Sequence, residues 1–169
     1  MARARHLVLL GLMGAGKTSV GRRVAERLGR DLIDGDEVLE RRTGMTAAEV
    51  VAEHGIDGLH EIEAQIALAA IASSSPTVIG PAASVIEVDA VRDSLTGHVV
   101  VWLTAPAAHL AERAVRKSHR PLLDDGDPLA LFTEQLAVRE PLVVPIADLV
   151  IDVSTTPKDE QADAIVALF

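Results

Sequence analysis

The sequence predicts an α/β fold: a five-stranded parallel sheet with helices on both faces and a lid. Three observations predict it. Short apolar runs alternate with stretches of helical periodicity, the pattern of a parallel sheet covered on both sides. A glycine-rich phosphate-loop pattern stands where the first apolar run meets the first helix. A polar stretch, "RKSHRPLLDDGDP" (116–128), separates two late helices and reads as a lid rather than a linker.

The elements follow in order. "HLVLL" (6–10) is the first strand, and Val20, Val24 and Leu28 then recur at four-residue spacing, one face of a helix. "DLI" (31–33) is the second strand. Helical segments fill about 37–72, interrupted at Gly44 and around Gly55–Gly58. "TVI" (77–79) and "HVVVWL" (98–103) are the third and fourth strands, and Ala107–Val115 is a helix. Another helix runs near 129–140, "DLVIDV" (148–153) is the fifth strand, and Lys158–Leu168 is a closing helix. With no internal repeat and no low-complexity linker, 1–169 is expected to form one domain, with the lid at about 114–128.

Composition removes several function classes. The 169 residues are 49% hydrophobic and 24% charged, enough for one compact core. Aromatic residues are only 2%, so the core must be aliphatic, and platforms for stacking single-stranded nucleic acid are not expected. The net charge of −9 shows no basic patch of the kind nucleic-acid binders carry. Cysteine is absent, which excludes disulfides and thiolate metal sites. No apolar run approaches the roughly 20 residues of a membrane span. The opening "MARARHLVLLGLMGAGK" has the charge order of a signal peptide, but its apolar run leads into a phosphate loop rather than a cleavage site. A soluble, cytoplasmic monomer is therefore expected, acting on a small molecule and not on nucleic acid or membrane.

"GLMGAGKT" (11–18) fits G-x-x-x-x-G-K-[ST] in full, after a strand and before a helix. Glycines let backbone N–H groups curl around phosphate oxygens, and the helix N-terminus adds positive potential. Gly14, Ala15, Gly16, Lys17, Thr18 and Ser19 are thus the expected nucleotide cradle. Lys17 can reach the β- and γ-phosphates, and Thr18 can ligate Mg²⁺. A switch GTPase and a small-molecule kinase both begin this way.

"DLIDGDEVLE" (31–40) places Asp34 and Asp36 at the end of the second strand, where ligands of open parallel sheets bind. One carboxylate can hold Mg²⁺ through water, and the other can accept the proton of an attacking hydroxyl. The simpler reading is that Asp36 caps the helix that follows.

At this point the sequence resembles the shikimate kinases over nearly its whole length. "GLMGAGKTSVGRRVAERLG" is similar to the family's opening, "DLIDGDEVLERRTGMTAAEVVAEHG" to its D-x-D segment, "RPLL" (120–123) to its lid and "REPL" (139–142) to its R-x-P-L segment. The resemblance implies a P-loop NTPase fold of the nucleoside-monophosphate-kinase type, with ATP and Mg²⁺ as cofactors. It implies that Lys17 and Thr18 serve ATP and Mg²⁺, that Asp34 lies near the metal, and that Asp36 is the base at the substrate hydroxyl. It further implies Arg120 as the lid arginine on the phosphates, Arg113 near the adenine, and Arg139 on the substrate carboxylate. Lys17, Asp36 and Arg120 are then the catalytic set.

The pattern breaks on the acceptor side. Where the family has G-E-x-x-F-R-x-x-E, this chain reads "GIDGLHEIE" (55–63): Glu63 remains, but His60 replaces a substrate-binding arginine. Three consecutive glycines become Gly80, Pro81 and Ala82, removing a backbone donor and adding bulk. A tyrosine becomes Val143. The expected substrate-side residues are Asp36, His60, Glu63, Gly80, Pro81, Ala82 and Arg139. The expected activity is ATP-dependent phosphorylation of a hydroxyl on a small molecule: shikimate or, given the altered pocket, a related cyclitol, sugar acid or polyol. Two alternatives stay open: a gluconate-type kinase, which "DGD" (34–36) also resembles, and an inactive nucleotide-binding protein.

Overall fold

A computed structural model describes residues 5–116 and 126–169. Five strands, β1 (Leu7–Gly11), β2 (Leu32–Asp34), β3 (Val78–Gly80), β4 (Val99–Thr104) and β5 (Leu149–Asp152), form one sheet in the order β2-β3-β1-β4-β5. Every neighbouring pair is parallel. β1 lies at the centre, with Leu7 and Val8 level with both Val78–Ile79 of β3 and Val99–Val100 of β4. Both faces of such a sheet are covered, so β1 and most of β4 are buried end to end rather than alternating.

The helices are α1 (Lys17–Leu28), α2 (Gly35–Thr43), α3 (Ala47–Ile71), α4 (Asp89–Ser94), α5 (Ala107–Val115), α6 (Pro128–Val143) and α7 (Lys158–Val166). Their ends follow local chemistry. Gly29 and Gly44 end α1 and α2 in left-handed backbone, and Thr46 with Glu49 closes a reciprocal capping box at the start of α3. The interruption expected around Gly55–Gly58 is a kink at Gly55 alone (φ 74°); Gly58 stays helical. Three short elements do not emerge from the sequence: 3₁₀ turns at Ala83–Glu87 and Val144–Ile146, and the six-residue α4. Among the described residues, no helix is long and apolar enough to cross a membrane.

The main core is aliphatic, as composition requires, with Trp102 and Phe132 its largest fully buried members. α2 and α3 share a second, smaller core of Leu39, Val50, Leu59 and Ile66. α6 is held twice. Phe132 is 0% exposed, and Glu140 accepts hydrogen bonds from Thr104 Oγ1 (2.8 Å) and Trp102 Nε1 (3.4 Å) on β4. Replacing a fully buried phenylalanine by alanine removes packing and leaves a cavity, so Phe132→Ala should cost about 3–5 kcal/mol. Urea denaturation measures this, and a loss under about 1 kcal/mol would mean that α6 is not anchored there.

Candidate active site

One cavity of about 450 Å³ opens at the carboxyl ends of β1, β2 and β3. Its nucleotide end is the loop from β1 to α1. Gly14 (φ 83°) and Gly16 (φ 88°) adopt left-handed backbone, which turns the chain around the start of α1. A Cβ on Gly14 would stand 2.9 Å from the Leu110 carbonyl oxygen, so α5 packs directly on the loop. That packing brings Arg113 beside it: its Nη2 lies 3.7 Å from where a Gly16 Cβ would be. Lys17 Nζ donates to the Gly11 carbonyl (2.6 Å), and Lys158 Nζ from α7 donates to Ser19 Oγ (3.0 Å).

Asp34, at the tip of β2, joins the two ends. Its Oδ2 accepts from the Thr18 hydroxyl (2.6 Å), while Oδ1 accepts from the backbone N–H groups of Asp36 (2.9 Å) and Glu37 (3.3 Å). Asp34 is therefore the cap of α2, and the reading of Asp36 as that cap is corrected. Asp36 stands in the first turn with its carboxylate exposed and lining the cavity. A hydroxyl and a carboxylate in contact are hard oxygen donors of the type Mg²⁺ takes alongside substrate phosphates. No group of three or more acidic or histidine side chains able to hold a metal alone occurs among the described residues. A metal shared with phosphate oxygens fits this donor set.

The acceptor end is built from α3, the loop after β3, and α6. Asp34 is level with Gly80 across the β2–β3 pair, and a Cβ on Gly35 would meet Gly80 O, Pro81 Cα and Ala82 N, each at 3.3 Å. Gly80, Pro81 and Ala82 line the cavity beside Asp36, and Pro81 is buried. His60 and Glu63, one turn apart on α3, face the same space. Burial, then the nearby Arg139 guanidinium, holds the His60 imidazole below its ordinary 6.5, so it is neutral at pH 7. Burial holds the Glu63 carboxyl above its ordinary 4.5; its hydrogen bond from Ser84 Oγ (2.5 Å) opposes this and the Asp36 carboxylate adds to it.

Of the expected residues, Gly14, Gly16, Lys17, Thr18, Ser19, Asp34, Asp36, His60, Glu63, Gly80, Pro81, Ala82, Arg113 and Arg139 all line this cavity. Ala15 does not; it is 1% exposed and packs under the loop. Arg120 and most of the expected lid lie outside the described residues. Val143 is corrected as a pocket residue: it is 0% exposed and belongs to the main core. Sequence reasoning missed Ser84, Lys158 and Glu87. Glu87 accepts from Arg139 Nε at 3.0 Å, and nothing local marks it. Arg139 itself is buried.

Comparison with known proteins gives a consistent family. The shikimate kinase family model matches residues 13–169. A shikimate kinase of Thermobifida fusca is 38% identical over 94% of this chain and 91% of its own length. The structure of a shikimate kinase from Acinetobacter baumannii in complex with shikimate superposes with a TM-score of 0.89 at 30% identity, covering 98% of this chain and 92% of that one. A gluconokinase from Sinorhizobium meliloti gives 0.65 at 24% identity, covering 98% and 92%, a likeness of fold alone.

Glu63 provides a test of the electrostatics. Its raised folded-state value favours the protonated form, so its contribution to stability is full below about 4.5 and is lost as pH rises through the folded value. Glu63→Gln, uncharged at every pH, should therefore melt higher than the natural chain near pH 7. The gap should close on acidification toward pH 4. Thermal melts at both values check this, and a gap independent of pH would contradict it.

Proposed function

The chain belongs to the shikimate kinase family, and we propose that it transfers the γ-phosphoryl group of ATP to a hydroxyl of a small acceptor: shikimate or, favoured by the altered pocket, a related cyclitol, sugar acid or polyol. As a member of that family it is a small-molecule kinase that uses ATP with Mg²⁺. The choice of acceptor rests on a single observation: one cavity joins a phosphate-transfer end carrying Lys17, Thr18 and Asp34 to an acceptor end carrying His60, Pro81 and Ala82.

The proposed mechanism follows from the residues. The N–H groups of the 14–19 loop and the open N-terminus of α1 hold the phosphates. Lys17 follows the phosphoryl group through transfer and offsets charge developing on its oxygens. Thr18 and Asp34 would hold the Mg²⁺, which when bound would offset the charge of the phosphates. Asp36, free of capping, accepts the proton of the attacking hydroxyl. Arg113, packed on the loop, takes the nucleotide side, and Arg120 is assigned to close over the phosphates. The chain is read as one kinase domain, monomeric and cytoplasmic.

At the acceptor end, a neutral imidazole lacks the charge and the bidentate fork of an arginine. Pro81 lacks an N–H, and Ala82 adds a Cβ. A lost charged hydrogen bond costs about 1.5–3 kcal/mol and a lost backbone donor about 0.5–1.5 kcal/mol. Together they are expected to lower kcat/KM for shikimate by about 30- to 10³-fold, at about 1.4 kcal/mol per factor of ten.

Two outcomes are expected. Lys17→Ala should reduce phosphoryl transfer by at least about 10²-fold, the scale of losing one preorganised charge-stabilising group. An unchanged kcat would remove the kinase assignment. ADP release across a metabolite panel identifies the acceptor, and its absence with every compound would favour an inactive nucleotide-binding protein. For shikimate, the variant His60→Arg, Pro81→Gly, Ala82→Gly should gain about 30- to 10³-fold in kcat/KM. If the natural chain already turns over shikimate within the usual range of about 10⁴–10⁸ M⁻¹s⁻¹, the altered acceptor end does not set specificity.

A further inference from the structure

The charge at the acceptor end narrows the class of acceptor further. Among the described residues, Arg139 is the guanidinium that lines this end, and it does not face the cavity uncompensated. Its Nε donates to Glu87 Oε2 at 3.0 Å, with the arginine side chain 9% exposed and the glutamate 39%. Glu87 closes the 3₁₀ turn Ala83–Glu87, directly after the Gly80–Pro81–Ala82 stretch. Its placement is thus fixed by the same loop that shapes the cavity wall. Arg92 Nη1 donates to the Ile86 carbonyl (2.6 Å), tying the end of that turn to α4.

Among the described residues, the other groups at this end are two carboxyls and an imidazole, and the nearest further cation, Lys17 on the phosphate side, is within electrostatic reach of Glu63. Asp36 and Glu63 are carboxyl groups, and His60 is an imidazole. A carboxylate arriving on the acceptor must displace Glu87 from Arg139 or share the guanidinium with it. In either case it also approaches Asp36 and Glu63, and like charges at short range in a partly desolvated site oppose binding. Hydroxyl groups meet no such opposition. Carboxylates and an imidazole are hydrogen-bonding partners for polyol O–H groups.

We infer that the acceptor is an uncharged polyol or cyclitol without a carboxylate, and that Glu87 sets this preference by occupying Arg139. The inference rests on the kinase reading above. Glu87 is a specificity-determining residue that acts through Arg139 and need not touch the acceptor.

The test uses acceptor pairs that differ only in the acidic group: shikimate against its primary alcohol, and gluconate against glucitol. The ratio of kcat/KM, acid over neutral, is measured for the natural chain and for Glu87→Gln. Glutamine keeps an oxygen for the Arg139 N–H and removes the charge, so the fold has no reason to change; Glu87→Asp, which keeps the charge, is the control. The natural chain should prefer the neutral member of each pair. Glu87→Gln should move the ratio toward the acid by about tenfold, the scale of one charged hydrogen bond, and Glu87→Asp should not. Preference for the acid in the natural chain, or a ratio unmoved by Glu87→Gln, overturns the inference while leaving the kinase reading intact. If no compound releases ADP, the kinase reading fails, and the same ratio is taken from calorimetric binding of each pair with ADP present. The same shift supports the role of Glu87; no shift, or no binding by any member in any variant, overturns it.

Discussion

The two oxygens of one carboxylate hold this site together. Asp34 Oδ2 takes the Thr18 hydroxyl from the phosphate loop, and Oδ1 takes two backbone N–H groups at the start of α2. The tip of β2, the first turn of α1 and the first turn of α2 are thereby fixed to a common point. Because β2 pairs with β3, Gly80 lies level with Asp34, and the loop after β3 is drawn to the same edge. Asp36 then has no capping duty, and its carboxylate can face the cavity. An aspartate two residues earlier fixes its position.

The cavity is electrically divided. At one end stand Lys17, Arg113 and Lys158, with the N-terminus of α1, which carries no side-chain cap. At the other stand Asp36, Glu63 and His60, with Arg139 compensated by Glu87. The first end suits a polyphosphate and the second suits hydroxyl groups. The division also places the positive field where negative charge develops during transfer, and removes it where the acceptor's own charge would be read. In the protein as a whole, acidic residues outnumber basic ones 25 to 16, so the cationic end is a local construction within an acidic chain.

Much of this was legible in the sequence, and what was not follows a physical pattern. The strands could be read because each is a short apolar run, and the phosphate loop because its glycines meet a backbone requirement confined to a few consecutive residues. The 3₁₀ turn at Ala83–Glu87 and α4 could not, since neither is long enough to show a helical period and "GPAAS" reads as loop. Asp36 read as the cap on paper; the extended backbone at Asp34 (φ −93°, ψ 123°) and its bonds to the Asp36 and Glu37 N–H groups make Asp34 the cap instead. Val143 was misplaced for a similar reason. An apolar residue in a helix can face a cavity or a core, and the sequence does not say which way the helix turns.

The sequence by itself determined the α/β class, the phosphate-loop chemistry, the family and the altered acceptor residues, because each is written in contiguous residues whose local geometry is nearly obligatory. The tertiary structure decided the rest. Sheet order puts β3 between β1 and β2 and so carries Pro81 to Asp36. Packing of α5 on Gly14 brings Arg113 to the phosphate loop. The pairing of Glu87 with Arg139 joins residues 52 apart in the chain, one exposed and one buried. Contacts of this kind depend on which surfaces the sheet and its helices bring face to face. No periodicity or motif within either segment records them.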